Sequence, residues 1–415
     1  MAATAEKAPA AIRFEEDRIG RVAVPADALY GARTVRALQN LKFSSRTLGA
    51  CPTYTRALAQ VKIAAARANG AAGVVAPSLV DPIEEAAVQV MSGELSEHFP
   101  VDLLGGGGSI GIHVNVNEVI ANLANELRGG RRGDYKPVGI ADVGASQSTA
   151  DVCHTALRLA ILAEWPALDA ALAGMVTTLR AKASQFASVE TMARTCLRDA
   201  MPVTLDVLFD GYARLFERRA GEIKRVIEAL CAVSLGGTVI GTGAGAPAAY
   251  RDKVVRILAQ VTGVRLVSRD GLNDALQNSD DVAAVSSQLR LLAEGLIKVA
   301  ADLRLLASGP HGGFGELELP LVQEGSTFFA GKSNPVVPET AMQCGFQVLG
   351  CDRSVQAANE HAELYLNVFD GLAAVNVLDS IHMLSGAVGL LDSRCLREVE
   401  PDAERCAALA NLARR

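Results

Sequence analysis

Three stretches of this chain, 151–187, 204–234 and 273–308, carry apolar residues with helical period and few breakers. The last has no glycine until Gly295 and no proline until Pro310. Helices of about 30 residues reach roughly 45 Å at 1.5 Å per residue. Rods of that length exceed the usual globular helix and fit a bundle, where each buries its apolar stripe on its neighbours. The 415 residues agree with this: 50% are hydrophobic, 21% are charged and only 4% are aromatic. A mixture led by alanine and leucine suits close helix packing better than a β-sandwich, and an all-α fold is expected.

Elsewhere the signals are shorter. Residues 1–50 read as irregular, because Gly20, Pro25 and Gly31 interrupt them. Helical stretches follow at Thr53–Asn69, Asp81–Gly93 and Asn115–Arg128, and the polar run Gly129–Tyr135 suits a surface loop. Residues 335–391 read as helical, with Gly345, Gly350 and Gly371 as weak points.

The net charge is −6, with no Lys/Arg cluster, so no footprint for nucleic acid or an anionic membrane is seen. The expected ligands are small molecules. The eight cysteines (Cys51, Cys153, Cys196, Cys231, Cys344, Cys351, Cys395 and Cys406) form no CxxC pair. They read as free thiols in a reducing compartment, with no metal site expected. Met1–Glu15 lacks the apolar core of a signal peptide, and the uncharged window Cys231–Tyr250 is glycine-rich and holds Pro247. A soluble, cytoplasmic protein is expected.

Three glycine-rich stretches invite functional readings. Gly105–Gly111 precedes a helix, but no strand leads in and no βαβ alternation follows, which argues against a dinucleotide site. Gly331-Lys332-Ser333 lacks the glycine a phosphate loop needs five residues before the Gly-Lys pair; Ser326 stands there. Gly236–Pro247 carries no ionisable group and reads as a loop where backbones approach closely.

Residues 325–335 differ, because their chemistry is coherent. Gly325 and Gly331 permit a tight fold, and Ser326 is a small nucleophile or base. Lys332 and Asn334 place a cation and an amide two residues apart, suited to gripping a carboxylate. Pro335 stiffens the exit, and Glu339 lies one helical turn beyond. A solvated connector has the same composition, and the residues alone leave both readings open.

The loop resembles the signature of the aspartase/fumarase superfamily, Gly-Ser-Ser-x-Met-Pro-x-Lys-x-Asn-Pro. Further blocks are similar, in order, over about residues 13–390. They are Arg13-Phe-Glu-Glu-Asp17 with Val24–Gly31, Asn115–Asn122, Ser146–Val152 with Thr155-Ala156, Gly236–Gly243, Ser308-Gly-Pro310, Asn334–Glu339 and Leu366-Asn-Val368. The last two are most like aspartase. The resemblance implies an aspartase/fumarase-like long-helix bundle in three parts. Residues 1–145 would form a mainly helical N-terminal domain and 146–391 a central five-helix bundle carrying loop 325–335. Residues 392–415 would be a short helical remnant of the family's C-terminal domain. It also implies a homotetramer whose active sites are shared between three subunits, and chemistry without a cofactor.

Such enzymes take a proton from the carbon beside a carboxylate and expel a leaving group from the next carbon. The resulting aci-carboxylate needs fixed donors and a cation. By resemblance Ser326 is the base, with backbone N–H groups near Thr327 lowering its pKa. Lys332 and Asn334 hold the reacting carboxylate, and Ser148, Thr149 and Thr195 contact substrate, with Ser109 a candidate beside them.

The departures fall on the other half of the pocket. The family's Thr-His is Thr195-Cys196 here, and the histidine lost is the one that pairs with the glutamate matching Glu339. Cys196 reads either as a direct contact or as a buried hydrophobe filling the vacated space. Ser-Thr-Asn is Ser148-Thr149-Ala150, the first block offers Gly108 and Ile110, His113 replaces an Asn, and Met-Pro is Phe329-Ala330. The expected activity is a carbon–nitrogen lyase acting on an aspartate- or succinate-like carboxylate other than plain aspartate or malate. A fumarase-like hydratase and a catalytically silent partner subunit are the alternatives.

Overall fold

The computed structural model describes residues 11–414. The first ten residues, part of the stretch weighed for a signal peptide, lie outside them. The chain forms two compact units. One holds the residues up to Ala163 with Ala229–Ala283 and Val355–Val375; the other holds Glu164–Glu228, Ala284–Ser354 and the residues from Asn376 on.

The first unit opens on an antiparallel hairpin, β1 (Ile12–Asp17) and β2 (Gly20–Pro25), followed by helix α1 (Ala32–Leu41). The expectation that residues 1–50 are irregular is thereby corrected. Gly20, at φ +131°, closes a turn in which Asp17 Oδ1 accepts the N–H groups of Ile19 and Gly20, so it marks a hairpin rather than a break. Val22 and Val24 are buried between exposed neighbours, the period of a half-buried strand.

Helices α2 (Pro52–Ala71), α3 (Pro77–Met91) and α4 (Ile110–Glu126) follow, the first two with proline at their starts. Helix α4 carries the Asn115–Asn122 block, whose work is structural. Glu118 accepts the N–H groups of Gly31 at 2.8 Å, Arg33 at 2.9 Å and Thr34 at 3.1 Å, placing a carboxylate on the N-terminus of α1. Asn122 donates to Leu29 O at 2.7 Å and accepts from Gly133 N at 2.8 Å. Asn115 donates to His98 O at 3.0 Å.

After the short α5 (Ile140–Val143), helix α6 (Thr149–Gln185) begins in this unit. Arg158 is buried on it and makes two 2.7 Å bonds to Asp281. By length and composition α6 and the run Asp370–Leu396 are apolar enough to cross a bilayer, but this buried ion pair is what a protein core holds.

The glycine-rich stretch from Gly236 joins β5 (Ala232–Val233) to α8 (Ala248–Thr262), and backbones do approach there. A Cβ on Gly241 would lie 2.2 Å from Asn273 N. Strand β5 pairs in parallel with β6 (Val267–Ser268), after α8.

In the second unit, β3 (Glu190–Thr195) and β4 (Arg198–Thr204) form a hairpin ahead of helix α7 (Asp206–Ala229). The buried Glu316 accepts from Thr191 Oγ1 and, at 2.5 Å, from Arg194 Nη1, tying the hairpin to the segment after the next long helix.

The stretch 273–308, which reads as one rod, is two helices, α9 (Leu272–Gln277) and α10 (Asp280–Leu306). Asn278 turns extended between them and donates from its side chain to Asp274 Oδ1. The stretch 335–391 likewise divides into α11 (Val336–Glu360) and α12 (Asp370–Leu391). The break does not fall at the glycines. Gly345 sits inside α11, where a Cβ would meet Ile297 Cγ1 at 2.6 Å, so it permits helix–helix approach. The chain leaves the helix after Glu360; Glu363 and Leu366 then bond each other through their backbones, and Asn367 is anchored through its N–H to Leu276 O at 2.8 Å.

Beyond α12 come a π-helical turn (Asp392–Leu396), strand β8 (Glu400–Pro401), antiparallel to β7 (Leu317–Glu318), and helix α13 (Ala403–Ala413).

Candidate active site

The candidate residues are built in two ways. Loop 325–335, in the second unit, closes on itself. Ser326 N donates to Lys332 O at 2.9 Å, and Lys332 N donates to Phe329 O at 3.2 Å. Gly325 is required by this closure, since a Cβ there would lie 1.5 Å from Lys332 O. Gly331 takes φ +77° at the return.

Inside the ring, Ser326 Oγ accepts the N–H groups of Phe328 at 3.1 Å and Phe329 at 2.9 Å. Two fixed donors aimed at one hydroxyl oxygen favour negative charge on it. The resemblance predicts those donors near Thr327, and they come from the next two residues. Lys332 Nζ donates to Asn334 Oδ1 at 2.8 Å, so cation and amide stand side by side. The loop lies on the surface of its unit, with Phe328 84% exposed and Thr327, Lys332 and Asn334 exposed as well.

Glu339, in the first turn of α11, accepts from Arg304 Nη2 at 3.1 Å. No local pattern marks Arg304 for this pair, since it lies 35 residues from Glu339. Thr195 ends β3 and pairs with Arg198, leaving Cys196 and Leu197 as a two-residue turn at φ +52° and +58°. Asn-Gly adopts such a turn easily, whereas cysteine and leucine adopt it under strain. Cys196 is exposed, so it does not fill buried space within the chain. A hollow of about 670 Å³ lies beside this hairpin, lined by Arg194, Leu197, Leu208, Arg218, Lys298 and Phe314 among others, but not by Ser326, Lys332 or Asn334.

The other candidates belong to the first unit. Ser148 immediately precedes α6: its Oγ accepts Ala150 N at 3.0 Å, while Asp151 Oδ1 accepts Ser148 N at 2.9 Å. This reciprocal arrangement resembles a capping box. Asp151 is fully buried and also accepts Gly236 N and Thr238 N at 3.0 Å each. Burial pushes its carboxyl up to about 6 against the pull of those bonds. Ser109, buried at φ +63°, donates to Asp370 Oδ1 at 2.9 Å. Ala150 is buried and brings no amide.

Thr149 Oγ1 lies 3.0 Å from His113 Nδ1, and His113 Nε2 lies 2.7 Å from Lys62 Nζ. Lys62 donates onward to Gln147 Oε1 at 2.7 Å. Lys62 is wholly buried, and desolvation brings its ammonium down to about 7; the same cause holds the imidazole of His113 well below its usual range. The visible signal for Lys62 was a lone charge in the run Val61-Lys-Ile-Ala-Ala-Ala66. No group of three or more His, Cys, Asp or Glu side chains among the described residues is placed to hold a metal ion.

A self-closed serine loop carrying a lysine and an asparagine side by side is the geometry on which the comparisons bear. The family model described as Lyase matches residues 20–350. The aspartate ammonia-lyase of Pseudomonas aeruginosa is 39% identical over 399 residues, spanning 96% of this chain and 84% of that protein. The fumarate lyase:delta crystallin of Brucella melitensis, solved bound to cobalt, superposes with a TM-score of 0.93 at 39% identity, over 96% of this chain and 87% of that one. The class II fumarase of Schistosoma mansoni gives 0.92 at 28% identity, over 96% and 87%. The chain belongs to this lyase family, the aspartase/fumarase superfamily. Within it, the chain stands close to the aspartases.

Proposed function

We propose that this chain is a carbon–nitrogen lyase that eliminates an amine, or a substituted nitrogen group, from an aspartate- or succinate-like carboxylate to give fumarate or a related unsaturated acid. The observation that carries the reading is the pair of N–H donors on Ser326 Oγ, in the same loop as Lys332 and Asn334. Ser326, as alkoxide, takes the proton from the carbon beside the reacting carboxylate. The electron pair moves into that carboxylate, which becomes a dianionic aci-acid held by Lys332 and Asn334, with Thr327 beside them. The pair then returns to form the carbon–carbon double bond as the carbon–nitrogen bond breaks and the amine leaves. Ser109, Ser148, Thr149 and Thr195 hold the rest of the substrate. Cys196 and the Glu339–Arg304 pair lie on the leaving-group side. No cofactor enters these steps.

The same reading makes the protein a cytoplasmic homotetramer with sites completed by three subunits, in the three-part division 1–145, 146–391 and 392–415. A hydratase reading ranks lower, because the fumarase is 28% identical and the aspartate ammonia-lyase 39%. The lost imidazole and amide, at Cys196 and Ala150, point to a substrate other than plain aspartate. Each missing bond to a charged ligand costs about 1.5–3 kcal/mol.

The test is ultraviolet detection of a new conjugated acid from a panel of amino-dicarboxylates. Ser326→Ala is expected to lower kcat by about 10²–10⁴-fold, the range for a lost general base. Unchanged turnover in that variant overturns the mechanism. Efficient deamination of plain aspartate overturns the substrate assignment alone.

A further inference from the structure

We propose that Lys62 and His113 are positioning residues that hold the Thr149 hydroxyl as a hydrogen-bond donor to a substrate carboxylate. The inference rests on the reading of Thr149 as a substrate-binding residue and adds what sets its polarity.

The argument starts at Gln147. Its Nε2 donates to Val143 O and Ala145 O at 3.0 Å each, which turns Oε1 toward Lys62 as an acceptor. Lys62 Nζ gives one N–H to Gln147, and its charged form has only donors to offer the second neighbour, His113 Nε2, at 2.7 Å. That nitrogen must then be the acceptor, so the single proton of the neutral imidazole sits on Nδ1. Nδ1–H donates to Thr149 Oγ1 at 3.0 Å, which occupies an acceptor position on the hydroxyl. Among the described residues the Thr149 hydroxyl has no second side-chain partner, and it is only half-buried. Its own proton is left for an outside acceptor, which a carboxylate supplies and an ammonium does not.

The ionisable groups that act on Lys62 are His113 from α4 and Asp151 and Cys153 from α6. When Lys62 loses its proton, its nitrogen can either donate or accept, so both tautomers of His113 satisfy it and the polarity of Thr149 is no longer fixed. Carboxylate affinity is therefore expected to fall as pH rises through about 7, where the ammonium of Lys62 titrates.

Two measurements on the full chain test this, with fumarate as the probe. Nitrogen NMR of histidine-labelled protein below pH 7 is expected to show His113 as the Nδ1–H tautomer; an Nε2–H tautomer there overturns the proposal whatever the ligand does. Fumarate titrations of Thr149→Val, His113→Leu and the double variant are expected to show about tenfold weaker binding in each single variant. The double variant should be no weaker than Thr149→Val. Additive losses, or an unaffected His113→Leu beside a weakened Thr149→Val, overturn the positioning role. An unaffected Thr149→Val instead sinks the reading of Thr149 as a substrate-binding residue.

Discussion

Loop 325–335 and the head of α6 hold their candidate residues by opposite means. The loop is exposed and bonded almost wholly to itself: Ser326 to Phe328, Phe329 and Lys332, and Lys332 to Asn334. The head of α6 is braced by residues far away in sequence, with Asp151 on Gly236 and Thr238, Thr149 on His113, and Arg158 on Asp281. The loop therefore sets the geometry around Ser326 without contributing much to folding. The head of α6 couples its polar groups to the stability of the core.

The comparison breaks most visibly at Arg158. Arg158→Leu leaves Asp281 with Arg269 in place of a bidentate buried partner, and is expected to cost about 3 kcal/mol, the lower end for breaking a buried pair. Urea denaturation checks this, and turnover per folded molecule should stay near that of the parent chain. Gly325→Ala is the converse. A Cβ cannot stand 1.5 Å from Lys332 O, so the ring must open and release the donors on Ser326. Turnover is expected to fall about 100-fold, at the lower end of the range for a lost general base, with an unchanged melting temperature. Comparable losses of stability in both variants would remove the distinction.

The smallest effect is one of pH. The native-state ammonium of Lys62 titrates near 7, below its ordinary 10.5, so the unfolded chain binds the extra proton between those values. Stability contributed by this group therefore rises with pH across that window, by at most about 1.4 kcal/mol per unit. Asp151 has the opposite sign. Its folded value of about 6 exceeds 3.8, so its contribution falls as pH rises between them. In Lys62→Met the upper slope should flatten and the lower one remain, as read from denaturation midpoints between pH 4 and 9. An unchanged slope above pH 7 would show that Lys62 is not buried as a titrating amine.

What was legible in the sequence follows this division. The helical period of 151–187 and 204–234 is local, and α6 and α7 form there. The chemistry of Ser326, Lys332 and Asn334 is local too, because a ring of seven residues supplies its own donors. The Gly325–Pro335 signature and the asparagine block were readable as family marks, but only packing shows that Asn115–Asn122 serves the N-terminus of α1 and the neighbouring loops. Glycine misled in both directions, since Gly20 turns a hairpin and Gly345 lies within a helix.

By itself the sequence determined the long helices, the serine loop and the family, because each rests on residues close together in the chain. Only the tertiary structure decided that Cys196 sits exposed on a strained turn, that Arg304 pairs with Glu339, and that Lys62 reaches His113 and Gln147. Those partners lie 35, 51 and 85 residues apart. The polarity of a buried group is set by whatever folding brings against it, and no local pattern encodes that neighbour.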